Sequence, residues 1–254
     1  MLNTVLTGTA TGTPPLLIAH GLFGSARNWG AIAKRMAADR QVVIVDMRNH
    51  GESPWFDTHS YRDMAADLAE VIAANGGQAD VLGHSMGGKA AMMLALTAPG
   101  RVNRLVVADI APVAYGHSQQ SLIDAMRSVD ATRVETRSDA DRILAQRVDD
   151  RAVRAFLLQS LDVKDRRWRL NLDVLEAEMP EILGWPPVDG QFDGPTLFLS
   201  GAESDYVRPD FRDDIRRLFP RARFAKIPGA GHWLHAEKPH EFIAALQAAL
   251  PPAG

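Results

Sequence analysis

The sequence predicts an α/β fold with a mostly parallel sheet flanked by helices, and three observations support this class. Short, wholly apolar runs such as residues 16–20 are typical of strands buried on both faces of a parallel sheet. These runs alternate with stretches of helical spacing. The alternation stops part-way along the chain and later resumes. We therefore expect an α/β core formed by residues 1–112 and 188–254, interrupted by a helical insertion at 113–187.

The composition excludes several classes of protein. Apolar residues make up 46% and charged residues 23% of the 254 positions, which is ordinary for a soluble globular enzyme. A net charge of −3 gives no support for a nucleic-acid partner. The chain has no cysteine, which excludes disulfides, a thiol nucleophile and thiolate metal sites. Because we find neither a signal peptide nor an apolar stretch of ~20 residues, we expect a cytoplasmic protein without a membrane span.

The first part of the core is predicted from apolar runs and helical spacing. The clearest helix has Met64, Leu68 and Val71 on one face and ends before three turn-forming residues at 75–77. In chain order we expect an edge hairpin at 2–15, a strand at 16–20, helices at 29–38 and 61–74 around a strand at 41–46, a strand at 79–82, a helix at 89–96 and a strand at 104–109.

The insertion at 113–187 is predicted to be helical and to contain no strand. Leu122, Ile123 and Met126 fall on one helical face, and both signs of charge are interspersed along the segment. After the insertion the α/β alternation resumes. We expect a strand at 195–200, a helix at 209–219, a strand at 224–227 and an amphipathic helix at 239–250.

One serine is placed as a nucleophile. Ser85 lies at the apex of Gly-His-Ser-Met-Gly-Gly (83–88), between a predicted strand and a predicted helix. Glycines two residues before and two after it allow a very tight turn, which exposes the hydroxyl and directs backbone N–H groups towards it. This arrangement favours nucleophilic catalysis over a chance match in a glycine-containing loop.

Serine needs a base, and the base needs a third group to orient it. His232 follows the last predicted strand in a glycine-rich loop and is our candidate base. Two acids follow other strands: Asp109 after the strand at 104–109, and Asp205 in the loop after the strand at 195–200. Either fits, because the carboxyl ends of parallel strands meet at one edge of the sheet.

The chain resembles the α/β-hydrolase superfamily in three motifs: Gly-His-Ser-Met-Gly-Gly at 83–88, His-Gly-Leu-Phe-Gly-Ser at 20–25 and Gly-Ala-Gly-His-Trp at 229–233. Three further motifs resemble the small bacterial YbfF-type esterases: Asp-Met-Arg-Asn-His-Gly at 46–51, Asp-Ile-Ala-Pro at 109–112 and His-Trp-Leu-His-Ala-Glu-Lys-Pro at 232–239. The matches extend from about residue 16 to 245. The resemblance implies a serine hydrolase of short-chain carboxylic esters, with a helical cap at 113–187.

The resemblance also favours Asp109 as the acid. Many superfamily members carry an aspartate three residues after the glycine that matches Gly201, where this chain has Ser204. Asp205 lies one position later. The YbfF-type esterases also lack an acid there and use the aspartate that ends the preceding core strand. The expected triad is therefore Ser85, His232 and Asp109.

The backbone N–H groups of Leu22 and Met86 are the expected oxyanion hole, with that of Phe23 as an alternative second donor. The side chains of Phe23, Trp185 and Trp233 are candidates for the substrate pocket. We expect no metal and no organic cofactor, since acyl transfer through serine needs neither. The expected partner is a small-molecule ester or thioester.

Other functions remain open from the sequence. An acyl-CoA thioesterase would use the same triad, and a cofactor-free haloperoxidase would share it as a side activity. A haloalkane dehalogenase is disfavoured, because an aspartate would replace Ser85. A non-catalytic ligand-binding member of the fold is the alternative from a different class, and an intact triad argues against it.

Overall fold

The computed structural model describes residues 1–252, and its central feature is a seven-stranded sheet. In chain order the elements are β1 (Thr4–Thr7), β2 (Leu16–Ala19), α1 (Gly30–Met36), β3 (Val42–Val45), α2 (Tyr61–Ala74), β4 (Ala79–His84), α3 (Met86–Thr97), β5 (Val102–Ala108), α4 (Gln120–Arg127), α5 (Arg137–Leu144), α6 (Arg151–Leu157), β6 (Leu161–Asp162), β7 (Arg167–Trp168), α7 (Leu172–Ala177), α8 (Met179–Leu183), β8 (Thr196–Gly201), α9 (Arg212–Leu218), β9 (Ala222–Ile227), α10 (Leu234–Glu237) and α11 (Pro239–Ala249).

The sheet has the order β1-β3-β2-β4-β5-β8-β9, and every neighbouring pair is parallel except β1 with β3. Alternate residues of each strand pack on opposite faces. Leu17 and Val43 pack with α2 and α3, whereas Ile18 and Ile44 pack with α1 and α11. Apolar contacts on both faces explain why the inner strands are continuous apolar runs. The predicted fold class is confirmed.

The predicted hairpin at 2–15 is wrong. Only its first arm forms a strand, β1, which pairs antiparallel with β3 at the edge of the sheet. The second arm has no large apolar residue to bury, and Pro14 and Pro15 have no N–H to donate to a ladder. The other predicted elements of the core form, with ends that differ by a few residues. A short 3₁₀ turn at Ala26–Trp29 leads into the helix expected at 29–38, and another at Pro209–Phe211 forms the start of the helix expected at 209–219.

Residues 113–187 contain α4 to α8, and the expectation that they contain no strand is also wrong. β6 and β7 form a two-residue antiparallel hairpin. The Asp162 carboxylate closes its turn by accepting the backbone N–H groups of Lys164 and Asp165, and Arg166 takes a left-handed conformation with φ 53°. A run this short has no period-2 apolar pattern for sequence analysis to detect.

Hydrogen bonds attach this segment to the core beside the carboxyl ends of β2 and β4. The Tyr61 hydroxyl donates to the Ile182 carbonyl at 2.5 Å, and the Lys89 ammonium donates to the carbonyls of Leu183 and Gly184 at 3.0 and 2.5 Å. Apolar side chains of α4 to α8 join the same core cluster as α2 and α3. Within residues 1–252, no helix combines the length and the apolarity needed to cross a bilayer.

Candidate active site

Ser85 lies in a strained turn between β4 and α3, with φ 52° and ψ −121°. Two glycines make this turn sterically possible. A Cβ on Gly83 would lie 2.2 Å from the Gly87 carbonyl oxygen, and a Cβ on Gly87 would lie 2.4 Å from the carbonyl oxygen of Ala19. Backbone held at φ > 0 in a non-glycine residue stores strain that the surrounding packing must offset. The strain presents the hydroxyl at the carboxyl edge of the sheet.

Ser85, His232 and Asp109 form a continuous chain of hydrogen bonds. His232 Nε2 lies 3.0 Å from Ser85 Oγ, and His232 Nδ1 lies 2.8 Å from Asp109 Oδ2. A carboxylate can only accept, so Nδ1–H donates to Asp109 and Nε2 is left to accept the serine proton. These are the distances that a nucleophile, its base and an orienting acid require.

The Asp109 carboxylate is fully buried, and the structure gives it two further donors. Its Oδ1 accepts the Gly201 N–H at 3.0 Å, and its Oδ2 accepts the Ser204 hydroxyl at 2.5 Å. Together with His232 Nδ1–H, these donors fix the direction of the carboxylate. Asp205 is exposed, and the described residues show no hydrogen bond between it and His232. Ser204 is a contributor that the sequence analysis did not assign, although its unusual position was visible there.

Two buried histidines shape the loop after β2. His20 Nε2 accepts the Met47 N–H at 2.9 Å, and His50 Nε2 accepts the Phe23 N–H at 3.1 Å. In both rings Nδ1–H donates to a backbone carbonyl, that of Gly21 or of Arg48. Burial lowers the pKa of both histidines, which keeps them neutral and able to accept.

The alternative oxyanion donor, Phe23, is therefore disfavoured, because its N–H is already bound to His50. Leu22 differs: within residues 1–252 its N–H has no acceptor. Gly21 brings this loop against the turn, since a Cβ on Gly21 would lie 3.2 Å from Ser85 Cβ. The N–H of Met86 is the first of α3 and has no partner within the helix. Leu22 and Met86 thus flank Ser85 with free donors.

A second histidine pair lies behind His232. His84 Nε2–H donates to the His232 carbonyl at 2.9 Å, and burial lowers its pKa well below the ordinary value. His235 stacks on Trp29 with ring centroids 4.3 Å apart, and burial lowers its pKa to about 3. His84 therefore holds the backbone of the loop that carries the candidate base.

A cavity of about 510 Å³ opens onto Ser85. Two of the predicted pocket residues, Phe23 and Trp233, line it. Trp185 is not among the lining residues, so that prediction is wrong. The centroid of its ring lies 6.1 Å from that of the Tyr61 ring. Trp185 directly follows Leu183 and Gly184, whose carbonyls accept hydrogen bonds from Lys89. Residues of 113–187 supply part of the wall, among them Tyr115, Leu122, Val153, Phe156 and Leu183.

A family model described as the alpha/beta hydrolase fold matches residues 14–239. The chain belongs to the α/β-hydrolase family. It is 43% identical to the sn-1-specific diacylglycerol lipase ABHD11 of Mus musculus, over 95% of this chain and 82% of that protein. It is 41% identical to Esterase YbfF of Escherichia coli (strain K12), over 92% of this chain and 91% of that protein.

Among solved structures, the chain superimposes on a marine microorganism esterase with a TM-score of 0.92 and 38% identity. The match covers 98% of this chain and all of that one. Membership of the family, together with relatives named as esterases and lipases, makes this chain a carboxylic ester hydrolase. These matches confirm the resemblance to α/β hydrolases and YbfF-type esterases that the sequence motifs indicated.

Proposed function

We propose that this hydrolase cleaves short-chain carboxylic esters through an acyl-enzyme on Ser85, with His232 as general base and Asp109 as the orienting acid. The observation that carries the proposal is the continuous hydrogen-bond chain from Ser85 through His232 to Asp109, 3.0 and 2.8 Å long. No other group is needed to remove the serine proton.

In the first half of the reaction Ser85 Oγ bonds to the ester carbonyl carbon while its proton moves to His232 Nε2. The carbonyl π electrons move onto oxygen and form an oxyanion beside the N–H groups of Leu22 and Met86. When the oxyanion collapses, the carbon–oxygen bond to the alcohol breaks, and His232 returns the proton to the departing oxygen. The alcohol leaves and the acyl group stays on Ser85.

In the second half, water takes the place of the alcohol. His232 Nε2 accepts a proton from water as its oxygen bonds to the acyl carbon, and the same proton then returns to Ser85 Oγ as the acid leaves. Asp109 stabilises the imidazolium formed in each half. The Gly201 N–H and the Ser204 hydroxyl keep the Asp109 carboxylate aimed at His232.

We further propose that residues 113–187 form a cap over the site. Side chains of this segment and of the core line the same cavity of about 510 Å³, which is within the range of small-molecule pockets. Its wall includes Leu22, Ile110, Leu122 and Ile182, so the acyl or alcohol group of the substrate would contact apolar surface.

A glyceride ester is the second candidate substrate. The mouse relative is named as a diacylglycerol lipase, and its 43% identity extends over most of this chain. The apolar cavity supports an acyl chain longer than acetyl. An acyl-CoA thioester would be cleaved by the same steps, and only its fit to the cavity would distinguish it.

Replacement of Ser85 tests the proposal. We expect Ser85→Ala to reduce hydrolysis of p-nitrophenyl acetate to the uncatalysed background and to abolish covalent labelling by a fluorophosphonate probe. Ser118→Ala, which changes an exposed serine outside the triad, is the matched control and should keep both. Hydrolysis or labelling that persists in Ser85→Ala contradicts the proposal, and a wild-type protein that neither labels nor hydrolyses would indicate a ligand-binding protein.

A substrate series then separates the candidates. Wild-type kcat/KM is measured for p-nitrophenyl esters of increasing acyl length, for a diacylglycerol and for an acyl-CoA. A maximum at two to four carbons supports the short-chain proposal. A maximum on diacylglycerol supports the glyceride candidate, and a maximum on acyl-CoA supports a thioesterase.

A further inference from the structure

The ring of Tyr206 lies flat against the ring of His232. Their centroids are 4.0 Å apart and their planes are inclined by only 20°. The triad account gives this contact no role. Tyr206 is half-buried and lines the same cavity as Ser85, in the loop between β8 and α9. The rings of His84 and Trp233 also neighbour His232, with centroids at 4.9 and 5.9 Å and planes inclined by 40° and 63°, so neither is stacked on it.

The structure holds Tyr206 from three sides. Its backbone carbonyl accepts the Tyr115 hydroxyl at 2.7 Å, and its own hydroxyl lies 2.6 Å from His117 Nε2. Its N–H donates to Ser204 Oγ at 3.3 Å, and Ser204 in turn donates to Asp109. Tyr115 and His117 belong to residues 113–187. Contacts with both the core and the insertion therefore hold the ring in its position.

We propose that Tyr206 is a positioning residue for His232, whose ring face stabilises the imidazolium that forms when Ser85 is deprotonated. The inference rests on the proposed function, because it needs His232 to accept the serine proton. Tyr206 would thus increase kcat by stabilising the charge on His232, in addition to the contribution of the backbone donors.

The physical reason lies in the charge that appears during the reaction. The face of an aromatic ring carries a negative quadrupole, which attracts a cation more than a neutral ring. In the proposed mechanism His232 is neutral as long as Ser85 keeps its proton. In the transition state His232 becomes cationic, because it takes up that proton. An interaction that strengthens only in the transition state raises kcat. Burial and the nearby Asp109 raise the pKa of Tyr206, so its ring remains a neutral phenol at working pH.

Other groups also act on the charge of His232, and the test must leave them in place. Asp109 at the end of β5 faces Nδ1, and Ser85 faces Nε2. The remaining titratable neighbours come from β4, the loop after β5, and α10: they are His84, His117, His235 and, through its bond to the Gly231 N–H, Glu237.

The experiment compares Tyr206→Phe with Tyr206→Leu in the full-length protein, with kcat/KM for p-nitrophenyl acetate measured from pH 4.5 to 9. Tyr206→Phe keeps the ring face and should remain within about threefold of wild type. Tyr206→Leu should lower the plateau of kcat/KM roughly 3- to 30-fold, and it should move the midpoint of the acidic limb to lower pH by about 0.5 to 1.5 units. Both changes have one cause, the loss of imidazolium stabilisation.

Phe211→Leu is the matched control, because it removes an aromatic ring of the neighbouring turn whose ring contact is with Tyr115, and the described ring contacts of His232 do not include it. It should leave the plateau and the midpoint unchanged. A lower plateau in Tyr206→Leu with an unmoved midpoint would make the ring a structural support only, and would overturn the inference. Equal losses in Tyr206→Phe and Tyr206→Leu would assign the effect to the hydroxyl and overturn it as well.

Failure of the proposed function gives a different result. In that case wild-type hydrolysis survives in Ser85→Ala, or no hydrolysis is found at all. The inference fails by itself when hydrolysis depends on Ser85 and the pH profile does not respond to Tyr206→Leu.

Discussion

The two halves of the candidate site are built in different ways. On the core side, Ser85 and Asp109 sit directly at the ends of adjacent parallel strands, β4 and β5, and the Ser85 N–H donates to the last carbonyl of β5. On the other side, residues 113–187 are attached through side chains of the core, such as Tyr61 and Lys89, which donate to backbone carbonyls of the insertion. The proposed triad residues are thus fixed by the sheet, whereas the insertion side of the cavity wall is held by individual hydrogen bonds together with apolar packing on α2 and α3.

This difference separates chemistry from substrate fit. Changes at the strand ends should reduce turnover and leave the cavity intact. Changes at the attachments should alter stability and substrate affinity while the triad continues to work. Replacements of Asp109, Lys89 and Tyr61 distinguish these two kinds of change.

The largest effect is expected from Asp109→Asn. An asparagine of the same shape turns its NH₂ group either towards both His232 and Ser204, which share Oδ2, or towards the Gly201 N–H at Oδ1. The first orientation removes the acceptor for Nδ1–H and favours the wrong tautomer of the imidazole, and the second sets two donors against each other. We expect kcat for p-nitrophenyl acetate to fall by about 10⁴-fold with little change in KM. Steady-state kinetics on the purified variant measure this directly.

Asp205→Asn is the control, because Asp205 lies in the loop between β8 and α9 and is the other acid that the sequence offered. Asp205 is exposed, so its replacement should leave kcat within about twofold. If Asp205→Asn were the inactive variant and Asp109→Asn the active one, the proposed triad acid would be wrong.

Lys89→Met tests the attachment at α8. The Lys89 side chain is 1% exposed, and burial lowers its pKa to about 7. Between that pH and about 10.5 the unfolded chain binds a proton that the folded protein has lost, so the contribution of Lys89 to the free energy of unfolding rises with pH. Below pH 7 both states hold the proton, and the full cost of burying the charge remains.

The variant loses this pH dependence. Relative to wild type, we expect the unfolding free energy of Lys89→Met to fall by about 4 kcal/mol between pH 6 and pH 10, as judged by urea unfolding. Lys34→Met removes an exposed lysine and should show a flat difference across the same range. A flat difference for Lys89→Met itself would mean that the ammonium stays charged in the folded protein, against the prediction.

The smallest effect is expected from Tyr61→Phe, which removes the hydroxyl that donates to Ile182 and changes nothing at the triad. The buried carbonyl loses its donor, so the free energy of unfolding should fall by about 1 to 2 kcal/mol. We expect KM to rise a few-fold and kcat to stay near wild type. Arg62→Met, which removes an exposed hydrogen bond from the same helix to Pro187, should change neither. A large loss of kcat in Tyr61→Phe would show that the attachments also set the chemistry.

The sequence was sufficient to predict the fold class, because apolar runs and helical spacing reflect burial directly. It also predicted that Ser85, His232 and Asp109 lie at or just after the carboxyl ends of strands, since each of them follows an apolar run in the sequence. The glycines at 83 and 87 indicated the tight turn at Ser85, because a Cβ at either position would overlap backbone atoms.

What the sequence did not predict depends on contacts between distant residues. The role of Ser204 beside Asp109 and the stacking of Tyr206 arise only after β5, β8 and β9 have paired. The contacts of His20 and His50 arise only after β2 and β3 have paired. Trp185 was assigned to the pocket from its residue type, yet the carbonyls before it turn towards Lys89. The β6–β7 hairpin is too short to leave a pattern.

The close packing of Gly87 on the end of β2 has a consequence for how the site tolerates variation. Main chain rests on main chain there, with a hypothetical Cβ only 2.4 Å from the carbonyl oxygens of Ala19 and His20. This main-chain contact therefore helps to set the spacing between the amide of Met86 and the amide of Leu22. Substitutions of side chains elsewhere in the cavity can therefore change which substrates fit, while this backbone contact beside the proposed oxyanion donors stays in place.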